Sequence, residues 1–399
     1  MMESEQRFGV VGVSGSVAEV TLSFSRDLDR SEARKATMYE LSPDDAPNLE
    51  AFAIGKFVTL SGLALERDRE YKLRISEGVT DEEGNSLAPN DREVVYVPHY
   101  LTRRVRASVA QPLWASEWAE YFHYGVRAGK PVDEAYLDYV TELVEEAGQL
   151  GSDIVCLPEV AYCDAELCGS PEQTIPGPFF DRMAEKAAHY AMYVIACLKE
   201  LVDGKARTFA FIADRQGALL GKYHKVHEPD GKARAARGEV GLGAELPVFD
   251  TDFGRIAIMV CFDQISVEMP RIYAAKGADI LFLPDGTGGV STGCEINTML
   301  RAQAWALDNC VFVVPCRNAR LIDRGPGAFG RSCIIDRSAI VVADAGRTDG
   351  VASAVIDLEK KRMVYGYGTS GINDAHYRLF QERRPELFRE ITDPDLVGQ

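Results

Sequence analysis

The sequence predicts an α/β protein with mixed sheets, preceded by a small all-β sandwich. Three observations carry this reading. Residues 8 to about 97 hold short alternating strands between polar turns, with no amphipathic helix longer than about ten residues. From about residue 104 onward, apolar strands alternate with helical stripes. Two hairpin turns interrupt that stretch, which favours mixed sheets over a purely parallel one.

In the first stretch, Val17 to Phe24, Phe57 to Leu63 and Tyr71 to Ile75 alternate in strand fashion, and Asp81-Glu-Glu-Gly-Asn85 is a turn between strands. Short strands with turns at such intervals suit a β-sandwich. In the second stretch, Val105 to Ala110 reads as a strand. Val132, Tyr136, Tyr139, Val140, Leu143, Val144 and Ala147 then share one helical face, which should stop near Gly148 and Gly151. Asp153 to Leu157 is a short apolar strand. Phe180, Met183, Ala184, Ala187 and Ala191 form a second helical stripe, and Tyr193 to Leu198 and Thr208 to Ala213 are strands. Asp214-Arg-Gln-Gly217 is the first hairpin turn. Arg255 to Val260 (strand), Ser266 to Lys276 (helix), Asp279 to Leu283 (strand), Ile296 to Asp308 (helix) and Val311 to Val314 (strand) follow. Ser332 to Ile335 and Ala339 to Val342 flank the second turn, Asp336-Arg-Ser338. The expected divisions are residues 1–100, an accessory β-sandwich; 101–360, the domain that carries the chemistry; and 361–399, a polar arm at the surface or at an oligomer contact.

Composition narrows the function. The 399 residues are 46% hydrophobic and 26% charged, as in a globular protein, and the net charge is −17. Such an acidic surface repels phosphate backbones, so nucleic acid is not an expected partner. No apolar run reaches the roughly 20 residues of a membrane helix, and residues 1–7 lack a signal-peptide core, so a cytoplasmic location is expected. Nine cysteines, an odd number spread along the chain, do not form a secreted disulfide framework. The gap between Cys163 and Cys168 does not match common metal-ligand spacing, and neither metal nor cofactor is expected.

Three places combine a strand end with reactive chemistry. In Ile258-Met-Val-Cys261-Phe-Asp263 a strand ends in a cysteine followed by a turn, where a thiol can be aimed at a cleft and turn N–H groups can receive an oxyanion. In Ile154-Val-Cys-Leu-Pro158-Glu159 a carboxylate leaves an apolar strand, where burial would fit it for use as a general base. In Gly221-Lys-Tyr-His-Lys225-Val-His227 a lysine follows the second hairpin strand, and a fixed ammonium suits the charge of a tetrahedral intermediate. Taken singly, these read more readily as a core cysteine, a surface glutamate and a basic strand.

In combination and in this order, strand-Pro-Glu, Tyr-x-Lys-x-His and strand-Cys-aromatic-Asp resemble the nitrilase superfamily of carbon–nitrogen hydrolases, over about residues 104–360. Pro247-Val-Phe-Asp-Thr-Asp-Phe-Gly254, Gly277-Ala-Asp-Ile-Leu and Gly330-Arg-Ser332 agree with it. The resemblance implies an α-β-β-α sandwich and a Glu159–Lys225–Cys261 triad acting through a thioester. It implies a second glutamate near the lysine, for which Glu228 is preferred over Glu239. Phe262, Tyr162, Asp285 and Thr287 are the expected substrate-contacting residues. The chain departs from the family pattern at Trp305, where many members carry arginine. The implied substrate is a small linear amide or N-carbamoyl amine, with water as co-substrate and a homodimer or higher homo-oligomer as the assembly. An acyltransferase with the same triad, a true nitrilase, and a scaffold acting through the N-terminal module are the alternatives. That module, through Leu22-Ser-Phe24, Tyr71-Lys-Leu73 and Val79-Thr-Asp81, resembles bacterial immunoglobulin-like domains.

Overall fold

The computed structural model describes residues 8–15, 19–43, 46, 48–66, 69–97, 103–122, 129–159, 161–162, 174–286, 294–320, 330–359, 363–365, 372–375, 379 and 383–392. The chain divides into two compact units, Met1–Thr102 and Arg103–Gln399.

The first unit contains β1 (Val10–Gly15), β2 (Glu19–Phe24), a short helix α1 (Arg30–Ala33), β3 (Tyr39–Ser42), β4 (Glu50–Ile54), β5 (Phe57–Ser61), β6 (Tyr71–Ile75) and β7 (Glu93–Tyr96). They form a four-stranded sheet in the order β1-β2-β5-β4 and a three-stranded sheet in the order β3-β6-β7. Alternation decides which residues face inward. Leu22, Phe24, Val58 and Leu60 of one sheet share a core with Leu41, Tyr71, Leu73 and Ile75 of the other. The turn expected at 81–85 is built on Asp81, whose Oδ1 accepts from Glu83 N at 3.0 Å and Asn85 N at 2.8 Å. Burial opposes its charge, but the bonds from Asn85 and Glu83, with Arg26 beside it, hold this carboxyl below the usual range.

The second unit begins with β8 (Arg104–Gln111), α2 (Ala115–Phe122), α3 (Val132–Gln149) and β9 (Ile154–Cys156). It continues through α4 (Pro178–Tyr190), β10 (Tyr193–Val202), β11 (Lys205–Ala213), β12 (Leu219–His224) and α5 (Gly231–Ala236). Then come β13 (Phe249–Asp250), β14 (Arg255–Ile258), α6 (Glu268–Ala275), β15 (Ile280–Asp285), α7 (Cys294–Asn309), β16 (Phe312–Arg317), β17 (Cys333–Ile335), β18 (Val341–Asp344) and β19 (Gly350–Asp357). Two six-stranded sheets result, β12-β11-β10-β9-β8-β19 and β13-β14-β15-β16-β17-β18.

The layers follow from which faces are apolar. Val105, Val109, Ile154, Ile195 and Ile212 of the first sheet pack with Ile256, Ile258, Leu281, Leu283 and Val313 of the second, so the sheets stack face to face. The outer face of the first sheet, through Val155, Val194, Phe209 and Phe211, is covered by the stripes Tyr136–Val140–Leu143–Val144–Ala147 of α3 and Phe179–Phe180–Met183–Ala187 of α4. Met269 and Tyr273 of α6 and Ala302, Trp305 and Ala306 of α7 cover the second. This is the expected α-β-β-α sandwich.

Two features of the sheets differ from the expectation. The strands read as Tyr193 to Leu198 and Thr208 to Ala213 run on to meet at Asp203-Gly204, a third hairpin whose two turn residues have φ of 52° and 72°. Asp-Gly is the pairing that a type I′ turn favours, and the polar Lys199 and Glu200 before it obscured the strand. β19 pairs antiparallel with β8 along its full length, Asp357 opposite Arg104 and Gly350 opposite Gln111. Its mixed burial carries no clean alternation, because it lies at the sheet edge. Beyond residue 360, Met363–Tyr365 pairs with Ile372–Asp374, and two exposed 3₁₀ turns span Pro385–Leu387 and Arg389–Thr392.

Candidate active site

The inner strands of both sheets end on the same side of the sandwich, and their C-terminal ends supply the site. β9 runs parallel to β8 and β10 and leads through Pro158 to Glu159. β14, β15 and β16 are parallel neighbours, so Cys261, Asp285 and Arg317 emerge from consecutive strands. β12 is an edge strand that ends one residue before Lys225.

Three side chains far apart in sequence meet there. Lys225 Nζ donates to Glu159 Oε1 at 2.6 Å. The Cys261 thiol lies within electrostatic reach of both the Glu159 carboxyl and Lys225. Glu159 is pinned from behind, its Oε2 accepting the Gly286 N–H at 3.2 Å. Glu228 Oε2 lies 3.4 Å from Lys225 Nζ, and Thr208 Oγ1 donates to Glu228 Oε1 at 2.9 Å. Glu239 sits elsewhere, exposed and ion-paired with Arg234 and Arg237. Geometry therefore selects Glu228 as the second carboxylate at the lysine.

The electrostatics are those of buried groups held close together. Burial opposes charge on Lys225, but Glu159, Cys261 and Glu228 around it outweigh that and hold its ammonium above the ordinary lysine range. Burial, then the charges of Glu159 and Asp285, push the Cys261 thiol well above its ordinary range, against the opposing pull of Lys225. These influences favour the uncharged form of the thiol, and Glu159 is the carboxylate acting on it most strongly. Cys261 has φ of 47°, in the left-handed region that a residue with a Cβ rarely adopts. That conformation turns the chain abruptly from the strand into the 3₁₀ turn Cys261–Ile265.

The acid that closes the strand-Cys-aromatic-Asp motif, given no role of its own by the sequence, organises this region. Asp263 is fully buried. Its Oδ2 accepts from Tyr223 Oη at 2.6 Å and Val260 N at 2.8 Å; its Oδ1 accepts from His227 N at 2.9 Å and lies 3.1 Å from His227 Nδ1. Tyr223 and His227 stand two residues either side of Lys225. Asp263 thus ties the lysine segment to the cysteine turn. The signal was an acid two residues beyond a buried strand end, with nothing local to neutralise it.

The remaining expected residues fall out as follows. Phe262 is half-buried and packs on the inter-sheet core. Tyr162 is half-buried with its ring 5.0 Å from that of Phe179. Asp285 is buried, 3.3 Å from Arg317 Nε and accepting from Gln264 Nε2 at 3.1 Å. Thr287 lies outside the described residues, as do Cys163 and Cys168. Trp305, where many members carry arginine, is buried in the core beside α6.

Residues 125–364 match the carbon-nitrogen hydrolase family model, a span that holds Glu159, Lys225 and Cys261. The chain belongs to the carbon–nitrogen hydrolase family. Residues 9–96 match the bacterial Ig-like domain model. Among curated relatives of this hydrolase, omega-amidase NIT2 of Xenopus tropicalis is 32% identical over 237 residues, covering 57% of this chain and 85% of the relative. The Homo sapiens omega-amidase NIT2 is 29% identical over 225 residues, 54% of this chain and 81% of the relative. Two solved structures share the fold. An amidase from Nesterenkonia sp. superposes with a TM-score of 0.53 at 18% identity, covering 72% of this chain and 96% of its own. Saccharomyces cerevisiae Nit3, a member of branch 10 of the nitrilase superfamily, superposes with a TM-score of 0.53 at 22% identity, covering 64% and 90%.

Proposed function

We propose that this hydrolase cleaves the C–N bond of a small linear amide through a thioester on Cys261. The observation that carries the reading is the convergence of Lys225 and Cys261 on one carboxylate, Glu159. Attack begins as the Cys261 proton moves to Glu159 and sulfur bonds to the amide carbon. Lys225 and the Phe262 N–H hold the oxyanion. The C–N bond then breaks, Glu159 returns the proton to the departing nitrogen, and ammonia or amine leaves. Water attacks the thioester carbon with its proton passing to Glu159; the C–S bond breaks, the carboxylic acid is released and the thiol recovers its proton. Glu228 fixes Lys225 from its far side. The omega-amidase and amidase names of the relatives support an amide over a nitrile.

The test is ammonia release across a panel of linear amides, N-carbamoyl amines and nitriles, with intact-mass spectrometry of the enzyme during turnover. Ammonia from amides and an acyl adduct mapped to Cys261 are expected. Turnover that survives Cys261→Ala refutes the reading, and transfer to an added amine in preference to water reassigns the enzyme as an acyltransferase. We also read the enzyme as a homodimer, because Val267 on the turn into α6, Ile272 on α6 and Leu300 on α7 leave apolar side chains exposed on the outer helices.

A further inference from the structure

At the ends of the two strands that follow β14 in the sheet lies a pair of buried charges that the mechanism above does not use. Asp285 ends β15 and Arg317 ends β16, directly opposite each other in register. Their side chains are 1% and 4% exposed, with Arg317 Nε 3.3 Å from Asp285 Oδ2. The pair is held from both sides. Gln264, three residues beyond Cys261, donates to Asp285 Oδ2 at 3.1 Å. Ser332 Oγ accepts from Arg317 N at 2.8 Å and donates to Arg317 O at 3.1 Å, while Ser332 N donates to Gln111 Oε1 at 2.8 Å. Gly286, next to Asp285, is the residue whose N–H holds Glu159.

Burying such a pair is costly, and this one is imperfectly satisfied: among the described residues Arg317 Nε and Gln264 Oε1 make no hydrogen bond. A local rule broken beside a reactive group is where a functional constraint is expected. We propose that Asp285 and Arg317 are positioning residues for Cys261, a buried ion pair that fixes the floor of the site and governs the pH at which the thiol becomes reactive. This rests on the thiol chemistry proposed above only for its relevance to turnover, since the reactivity of the thiol is measured independently.

Glu159 after β9, Lys225 after β12 and Asp285 on β15 act on the Cys261 thiol; the other charged and titratable groups at these strand ends are Glu228 beside Lys225, Asp263 with His227, and Arg317 beside Asp285, with Cys197 of β10 in the same core. Within the pair, Asp285 is the pole whose negative charge raises the thiol, and Arg317 beside it offsets that charge in part. Replacing the carboxylate therefore eases proton loss. Replacing both members removes the same negative pole without leaving an unpaired buried cation.

The experiment is the pH dependence of iodoacetamide alkylation at Cys261 in the full chain, read by peptide mapping so that other cysteines do not contribute. Asp285→Asn should lower the alkylation midpoint by about one pH unit or more, the usual effect of one nearby charge. Asp285→Asn/Arg317→Gln should lower it less, and it serves as the deciding variant where the single substitution does not fold. The expected order of midpoints is wild type, double variant, single variant, from high to low. Midpoints equal to wild type in a folded variant, judged by circular dichroism and melting temperature, overturn the proposal. Loss of the nucleophile reading leaves this measurement standing: turnover surviving Cys261→Ala would sink the proposed mechanism without touching the alkylation midpoints.

Discussion

Glu159 is held at both oxygens, Oε1 by Lys225 and Oε2 by the Gly286 N–H, and the residues gathered around it differ in what their loss does. Lys225→Met removes one proposed oxyanion donor and should lower kcat by about 10²–10³ while leaving the thiol in place. Steady-state kinetics on the amide selected from the panel measure this. Cys261→Ala should abolish turnover and leave the melting temperature near wild type, because a small side chain is lost from a site with its own polar neighbours. The pH behaviour follows from direction alone. Burial and the facing carboxylates raise the Cys261 thiol, so it stays protonated at pH 7 and 8, and alkylation at Cys261 should climb only above the ordinary thiol range. A thiol already ionised at pH 7 would contradict that. Asp263 is the residue whose loss is structural. Asp263→Ala leaves the Tyr223 hydroxyl and the His227 and Val260 N–H groups without their buried acceptor, and should cost about 3 kcal/mol or more of stability by denaturant titration.

The elements bring these side chains together because parallel strands end on one side. β14, β15 and β16 pass Cys261, Asp285 and Arg317 to a common edge, and the β11–β12 hairpin delivers Lys225 from the facing sheet. The loop after α5 closes on that hairpin. Gly243 N donates to Lys225 O at 2.8 Å, and a Cβ on Gly243 would lie 2.1 Å from the His224 carbonyl oxygen. Gly243→Ala must therefore push the loop off the strand end that carries the lysine. A stability loss of about 1–3 kcal/mol is expected, as for other overpacked sites, together with a fall in kcat. Unchanged kinetics would show that Glu159 and Glu228 hold Lys225 in place without this loop contact.

Across the whole molecule, each compact unit owns its core. The sandwich of residues 8–96 packs around Leu22, Tyr71 and Leu73, and the larger unit around the inter-sheet core and the α3–α4 layer. Scanning calorimetry should then resolve two unfolding transitions, and a single sharp transition would count against independent cores. The apolar side chains at Val267 and Ile272 bear on assembly. Val267→Glu/Ile272→Glu should convert the proposed homodimer to monomer in sedimentation velocity, and a wild-type chain already monomeric at micromolar concentration would remove that reading.

By itself the sequence determined the sandwich of alternating strands, the helical stripes of α3 and α4, the hairpin at Asp214-Arg-Gln-Gly217 and the strand ends bearing Glu159, Lys225 and Cys261. Each of these is written in periodicity or turn chemistry within a dozen or so neighbouring residues. Only the tertiary structure decided between Glu228 and Glu239, gave Asp263 its partners, set Asp285 against Arg317 and paired β19 with β8. Those outcomes depend on which distant strands become neighbours. Pairing residue 104 with residue 357, or a carboxylate at 285 with a guanidinium at 317, leaves no local pattern, because burial is recorded one residue at a time while a charge finds its partner only after the sheets have closed.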